Sequence, residues 1–317
     1  MEIDKIKRIT HMFRKFSLIL ICIIAGSIFC PACFARADSP ALPPRVLVSA
    51  EIISQADTFL IVVKDEVNEI TGSFGSVKLH FFRNEDNKDW IAITGAPLNK
   101  TPGEYKLSVS VPNKAIFEKN ITVVKRSFLE TKMVVTKELA QKGYTSKNII
   151  NNIINIENKS LAKVLNVITP VSYITKPFVY PVFKVKDVGS FGNIRKSQNY
   201  KIQHLGVDLE APLNTPIYAV NDGKVVFVRG MTNYGNTVIV DHGLGVYSLY
   251  LHLNRFDVRE GQIIKLGDNI GLSGNTGYSI APHLHFSITM RGVSVDPLRF
   301  IWTTQGIKQN NLLLGDF

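Results

Sequence analysis

Apolar residues between positions 46 and 111 fall in short runs broken by turn formers. Arg45-Val46-Leu47-Val48 opens the stretch, and Thr58-Phe59-Leu60-Ile61-Val62-Val63 is a run rich in β-formers. Val77-Lys78-Leu79-His80-Phe81-Phe82 alternates apolar and polar, as does Tyr105-Lys106-Leu107-Ser108-Val109-Ser110-Val111. Gly72, Gly75, residues 84–87 and Pro102-Gly103 punctuate these runs. A period of two sends alternate side chains to opposite faces of a strand, and turn signals at this spacing predict a small β-sandwich over residues 41–125. His80 falls on one of these runs and reads as an ordinary strand histidine.

The period then changes. Ile149, Ile150, Ile153, Ile154, Leu161, Val164 and Leu165 recur at helical spacing, with Ser146 placed to cap the first turn. Gly143 separates this helix from a shorter one around residues 137–142, and Pro170 closes the region. Residues 126–177 therefore read as a helical linker. From 178 to 303 short β-runs return, among them Lys224-Val225-Val226-Phe227-Val228, Thr237-Val238-Ile239-Val240 and Val246-Tyr247-Ser248-Leu249-Tyr250. Turns such as Asn221-Asp222-Gly223 and Gly274-Asn275-Thr276-Gly277 separate them. No helix-period stretch of useful length is visible there, so this part is expected to be mainly antiparallel sheet. The fold class is mainly β. The tail from Thr304 carries no clear pattern.

Composition is that of a globular protein: 317 residues, 45% hydrophobic and 20% charged, enough for one to three domains. The amino terminus adds a destination. Lys5, Lys7, Arg8, Arg14 and Lys15 precede an uncharged apolar stretch, 16–34, and the small-x-small site Ala35-Arg36-Ala37. Residues 1–37 read as a secretory signal cut after Ala37, or as a retained membrane anchor. All three cysteines (Cys22, Cys30, Cys33) lie in this segment. The remainder has no disulfide, no thiolate for a zinc finger and no nucleophilic cysteine. Residues 1–37 hold six basic and two acidic side chains, so +7 of the net charge of +11 stays with the rest. An exported basic protein meets an anionic cell wall or membrane surface, and nucleic acid is not an expected partner. The predicted location is the periplasm or cell envelope.

The histidines supply the chemistry. His283 and His285 flank Leu284, and on a strand both project to one face. His204 and Asp208 are four apart, but Gly206 and Val207 make a helix poor, so a bent strand or loop must join them. His252 follows the alternating run 246–250, near a strand end. Each motif alone also fits an ordinary polar surface, with Asp208 in a salt bridge or His252 capping a turn. Four of the six histidines beyond His11 nevertheless fall in these three motifs. Two histidines and a carboxylate suit zinc with an open fourth position, which activates a water and polarises a carbonyl. Further histidines fit a base and an oxyanion stabiliser, and amide hydrolysis is the natural reaction. The serines show no Gly-x-Ser-x-Gly elbow.

Over about residues 178–302 the chain resembles the lysostaphin/LytM family of zinc metallo-endopeptidases. The resemblance rests on Ser190-Phe191-Gly192, His204…Asp208, Ala219-Val220-Asn221-Asp222-Gly223-Lys224-Val225, Tyr234-Gly235-Asn236, Asp241-His242-Gly243, Tyr250-Leu251-His252-Leu253, residues 271–277, Pro282-His283-Leu284-His285-Phe286 and Asp296-Pro297. It implies a compact antiparallel β-domain holding zinc in a groove, with His204, Asp208 and His285 as ligands. It also implies His283 as the catalytic histidine and His252 as the second active-site histidine. The implied substrate is the stem-peptide cross-links of bacterial peptidoglycan. Members of another kind are non-catalytic regulators or wall-binding modules, which typically lack a zinc ligand. Asn214, Ala281 and Ser287 depart from the family pattern, and none is expected to touch a ligand. Tyr200 is a candidate for orienting substrate or for packing, and His242 reads as structural. The sandwich and linker resemble the amino-terminal architecture of some Gram-negative exported members, chiefly at Lys100-Thr101-Pro102-Gly103-Glu104-Tyr105.

Overall fold

The computed structural model of the protein describes residues 42–307, apart from 66, 85–87 and 198–199. The expected signal or anchor, 1–37, lies outside these residues. No helix among the described residues is long and apolar enough to cross a membrane. The described part is mainly β and clusters as one compact unit.

The amino-terminal runs build two facing sheets. One orders Val46–Val48, Thr58–Val63, Trp90–Gly95 and Phe81–Arg83, and the other Ile52–Ser54, Phe117–Val124, Gly103–Ser110, Thr71–Phe74 and Val77–Lys78. Thr58–Val63 is buried at all six positions, because its sheet is covered on both sides. Phe59, Ile61 and Val63 enter the core between the two sheets, with Leu107, Val109 and Ile121. Leu60 and Val62 point the other way and join Ile91 and Ile93 in a core that continues into the carboxyl-terminal half. A strand covered on both faces reads as an unbroken apolar run, whereas Gly103–Ser110, solvated on one face, alternates. The stretch 77–82 is not the single strand its alternation suggests. Val77–Lys78 belongs to one sheet and Phe81–Arg83 to the other, with Leu79 sunk into the core at the corner.

Three helices and a π-turn follow: α1 (Lys137–Gln141), α2 (Ser146–Asn152), the π-turn Ile153–Glu157 and α3 (Asn158–Leu165). The cap of α2 is Thr145 rather than Ser146. Its hydroxyl accepts from Asn148 N while Asn148 Oδ1 accepts from Thr145 N, so two end donors are satisfied reciprocally. The apolar stripe of this segment lies on the large carboxyl-terminal sheet. Leu161 and Leu165 pack on Tyr247, Leu249 and Leu251, and Ile149, Ile150 and Ile153 cluster with Ile202 and Tyr278.

That sheet runs Asp187–Gly189, Val207–Leu209, Leu284–Met290, Val246–Leu253, Gly235–Asp241, Gly223–Met231 and Ile263–Ile264, all antiparallel, with Val293–Val295 beside Leu284–Met290. Val246–Leu253 is buried throughout. One helix was not foreseen: α4, Pro297–Thr304. Its start is marked by Asp296, whose side chain accepts from Leu298 N and Arg299 N, with Pro297 in the first turn. The helix buries Phe300 edge-on against Phe178 at 4.9 Å, and Phe178 stands 5.0 Å from the His242 ring.

His242 is fully buried, as its structural reading requires. Its Nδ1 lies 2.7 Å from the Asp222 carbonyl and its Nε2 2.8 Å from Ser248 Oγ. A carbonyl only accepts, so Nδ1 carries the proton and Nε2 accepts from the serine. Burial pushes this imidazole down to about 4. A folded-state pKa below the unfolded value stabilises above pH 6.5, and that stability is lost as pH falls toward 4. This one group is expected to cost the fold about 2 kcal/mol between pH 7 and 5. His242→Gln should lower stability at pH 7 yet flatten the pH dependence by that amount, as read from urea midpoints at the two pH values.

Candidate metal centre

Strand register brings the ligand candidates together. Asp208 on Val207–Leu209 pairs with His285 on Leu284–Met290, and His285 pairs on its other side with Leu251. Leu284 and Phe286 are fully buried in the core, so His285 occupies the opposite face of its strand. His204 exchanges backbone bonds with Gly192 and Asn193, and the chain then turns through Leu205-Gly206 into the Asp208 strand. His204 Nε2 lies 3.0 Å from Asp208 Oδ1 and 2.9 Å from His285 Nδ1, while His285 Nδ1 lies 2.9 Å from the same oxygen. His283 Nε2 stands 3.5 Å from Asp208 Oδ1.

The far side of each ring is anchored. His204 Nδ1 lies 3.0 Å from the Ser190 carbonyl, His252 Nδ1 2.8 Å from the Thr276 carbonyl and His283 Nδ1 2.8 Å from the Ala281 carbonyl. Each of these nitrogens must donate, so each Nε2 presents a lone pair. His285 is turned the other way, with Nε2 3.0 Å from Ser287 Oγ and Nδ1 at the centre. Two imidazole nitrogens and a carboxylate oxygen, within 4.8 Å of one another, thus aim lone pairs at one point. Such acceptors repel unless a cation or an added proton lies among them, and this donor set suits a divalent transition metal. Of the family departures, Ser287 touches the converging set directly, with Oγ against the His285 ring, whereas residue 281 acts on His283 only through a main-chain carbonyl that any residue would supply.

His252 reaches the site through a backbone irregularity. Leu251 and His252 together oppose Thr237, a β-bulge in the Val246–Leu253 strand, and His252 has φ 62°. Regular alternation would place it with Tyr250, on the core side. The bulge instead sets its ring 4.9 Å from His283 and 6.0 Å from His285. A left-handed conformation is costly for histidine and is held by the bond from His252 N to the Tyr234 carbonyl.

Electrostatics separates the groups. Burial opposes ionisation of Asp208, but protons held between its carboxylate and the rings of His204, His283 and His285 keep it well below the usual range. Burial pushes His285 down to about 4, against the pull of Asp208. Burial, then the charges of His283 and His285, push His252 down to about 3. Burial also opposes the charged form of His283, yet its hydrogen bond to Asp208 leaves it raised.

Sequence reasoning missed Arg195, whose Nη2 lies 3.0 Å from Asp208 Oδ2. It occupies the strand Ile194–Ser197, and nothing in its local pattern marks it. Tyr200 sits exposed on Tyr200–Gln203, outside the converging set. Gly206 has a role beyond breaking a helix. A Cβ there would lie 2.3 Å from Ser287 Oγ, 2.5 Å from His285 Nε2 and 2.6 Å from the Phe286 carbonyl. Since a backbone oxygen cannot swing aside, Gly206→Ala should overpack the site by about 1–3 kcal/mol and displace His285. Metal affinity, read by competition with a chromogenic chelator, is expected to fall about 10–100-fold, the loss that follows removal of a ligand's outer partner.

Residues 202–297 match the model of Peptidase family M23, and this stretch is an M23 domain of the lysostaphin/LytM kind. Peptidoglycan DD-endopeptidase ShyA of Vibrio cholerae is 42% identical over 96 residues, 30% of this chain and 22% of that protein. A metalloprotease of Buchnera aphidicola, itself uncharacterized, is 28% identical over 196 residues, 61% of this chain and 48% of that protein. A solved structure from Pseudomonas aeruginosa assigned to peptidase M23 superposes with a TM-score of 0.56 at 25% identity, covering 79% of this chain and 95% of that one. The chain thus spans less than a quarter of ShyA and about half of the Buchnera protein.

Proposed function

We propose that this protein is an exported, zinc-dependent endopeptidase that hydrolyses the peptide cross-links of bacterial peptidoglycan. The observation that carries the reading is the convergence of the rings: with their far nitrogens tied to Ser190, Ser287 and Ala281, the near nitrogens of His204, His285 and His283 lie 3.0, 2.9 and 3.5 Å from Asp208 Oδ1. The likeness to ShyA, named for peptidoglycan endopeptidase activity, supports the substrate class. The apolar segment before Asp38 and the absence of cysteine after it support export to the envelope.

In this reading His204 Nε2, Asp208 Oδ1 and His285 Nδ1 hold the zinc. Bound there, zinc lowers the pKa of a water to about 7 and polarises a carbonyl oxygen. His252, neutral and with only its Nε2 lone pair free, accepts the proton of the attacking water. His283, which holds a proton more readily than usual, donates to the developing oxyanion and then to the leaving amine. Arg195 engages Asp208 Oδ2, which leaves Oδ1 as the ligand atom. The Ser190 carbonyl keeps His204 in the tautomer that binding needs, and Ser287 Oγ, which accepts from Nε2 once Nδ1 is occupied, orients His285.

The test combines metal analysis with digestion of purified sacculi. Stoichiometric zinc and chelator-sensitive release of peptides with new termini, identified by mass spectrometry, support the enzyme. Zinc-free protein that binds sacculi without generating termini would make it a wall-binding module instead.

A further inference from the structure

A cavity of about 210 Å³ opens beside the histidines, between the helical segment and the large sheet. Its apolar wall includes Ile149, Ile153, Leu161 and Ala162 from the helices, and Leu249 and Leu251 from the central strand. His204, His252 and His285 line it as well. The helical wall lies outside residues 202–297, the stretch that matches the peptidase family. Asn158, Arg195, Gln203 and Tyr278 line part of the remainder, so the apolar character is confined to the wall of Ile and Leu, where water finds no hydrogen-bond partner. We propose that this cavity is a side-chain subsite, built by the helical segment, that takes an aliphatic group of the residue adjoining the amide to be cut.

The inference rests on the endopeptidase reading, because the metal fixes one end of the substrate while the cavity receives its neighbouring side chain. A polar group placed against the Ile and Leu wall would lose its water without replacement, whereas an aliphatic group gains from the same contact. Each methylene that enters is expected to tighten binding about fourfold, the equivalent of about 0.8 kcal/mol.

Linear alkyl hydroxamates test this on the zinc-loaded full chain, since the head binds the metal and the tail explores the cavity. Calorimetric affinity should rise about fourfold per methylene from acetohydroxamate onward and then level off once the cavity is full. Ala162→Leu should flatten that series with acetohydroxamate affinity unchanged. Leu161→Ala should extend it to longer tails. Opposite shifts in the two variants guard against a general loss of folding. A flat series in the unmodified protein, or a gradient that neither variant changes, overturns the subsite and leaves the metal reading intact. Failure to bind zinc overturns both.

Discussion

Asp208→Ala is expected to abolish both zinc binding and cleavage. Asp208 is the one anion in the centre, and its Oδ1 is approached by His204, His285 and His283 while its Oδ2 meets Arg195. Removing it leaves several nitrogen donors and a guanidinium around a buried point with no negative charge. A cation entering that point would meet repulsion where it now meets attraction. Loss of an outer-shell partner alone costs about 10–100-fold in affinity, so loss of this ligand should exceed that range. Zinc content after dialysis should fall to background, and hydrolysis of sacculi should fall below detection. Asp208→Asn, which keeps the shape and loses the charge, should behave nearly as badly. The fold should survive, because Leu209 and Val207 still pack in the core beside it, and circular dichroism can verify this. Stoichiometric zinc in Asp208→Ala would remove Asp208 from the ligand set.

What the sequence disclosed, and what it hid, follows from the range of the interactions. The alternation of Gly103–Ser110 and the turns of the carboxyl-terminal sheet are local and were legible. The convergence of His204, Asp208 and His285 was legible only because three rare motifs coincide in one chain; the register that joins them is a long-range fact. His252 was placed correctly near a strand end, but the bulge that turns its ring away from Tyr250's side cannot be read from alternation, which would have sent it into the core. The corner at Leu79-His80 was hidden for a similar reason, since a strand that changes sheet keeps its local period. The helix α4 was legible in principle from Asp296-Pro297, a cap followed by a first-turn proline, but its eight residues are too few for a periodic signal. Arg195 carried no signal, because its partner Asp208 lies across a hairpin. The segment read as a linker proved to carry the cavity wall, because its apolar stripe had to be buried somewhere and the face of the central strand was open.

His283→Ala is expected to lower kcat by about 10²–10⁴ while leaving zinc in place. Its ring is anchored by the Ala281 carbonyl and lies 3.5 Å from Asp208 Oδ1, farther than the rings of His204 and His285, which in the proposed mechanism assigns it to the reaction rather than to the metal. The sign of the pH dependence follows from its charge. Burial opposes the charged form of His283, but its hydrogen bond to Asp208 leaves it raised above the ordinary imidazole value, and a step that needs that proton is lost as pH rises through its pKa. His252, pushed down first by burial and then by any charge on His283 and His285, must stay neutral to accept a proton, and acid removes that capacity. The wild-type kcat/KM profile should therefore be bell-shaped, and a zinc cation close by should draw the alkaline limb to lower pH, because positive charge disfavours imidazolium. In His283→Ala the alkaline limb should vanish together with the bulk of the rate. In His252→Ala the acid limb should instead vanish from the remaining activity. If His283→Ala loses zinc, the ring is a ligand. If it retains full kcat, the proton donor lies elsewhere, and the raised pKa of His283 reflects only its place beside the buried carboxylate.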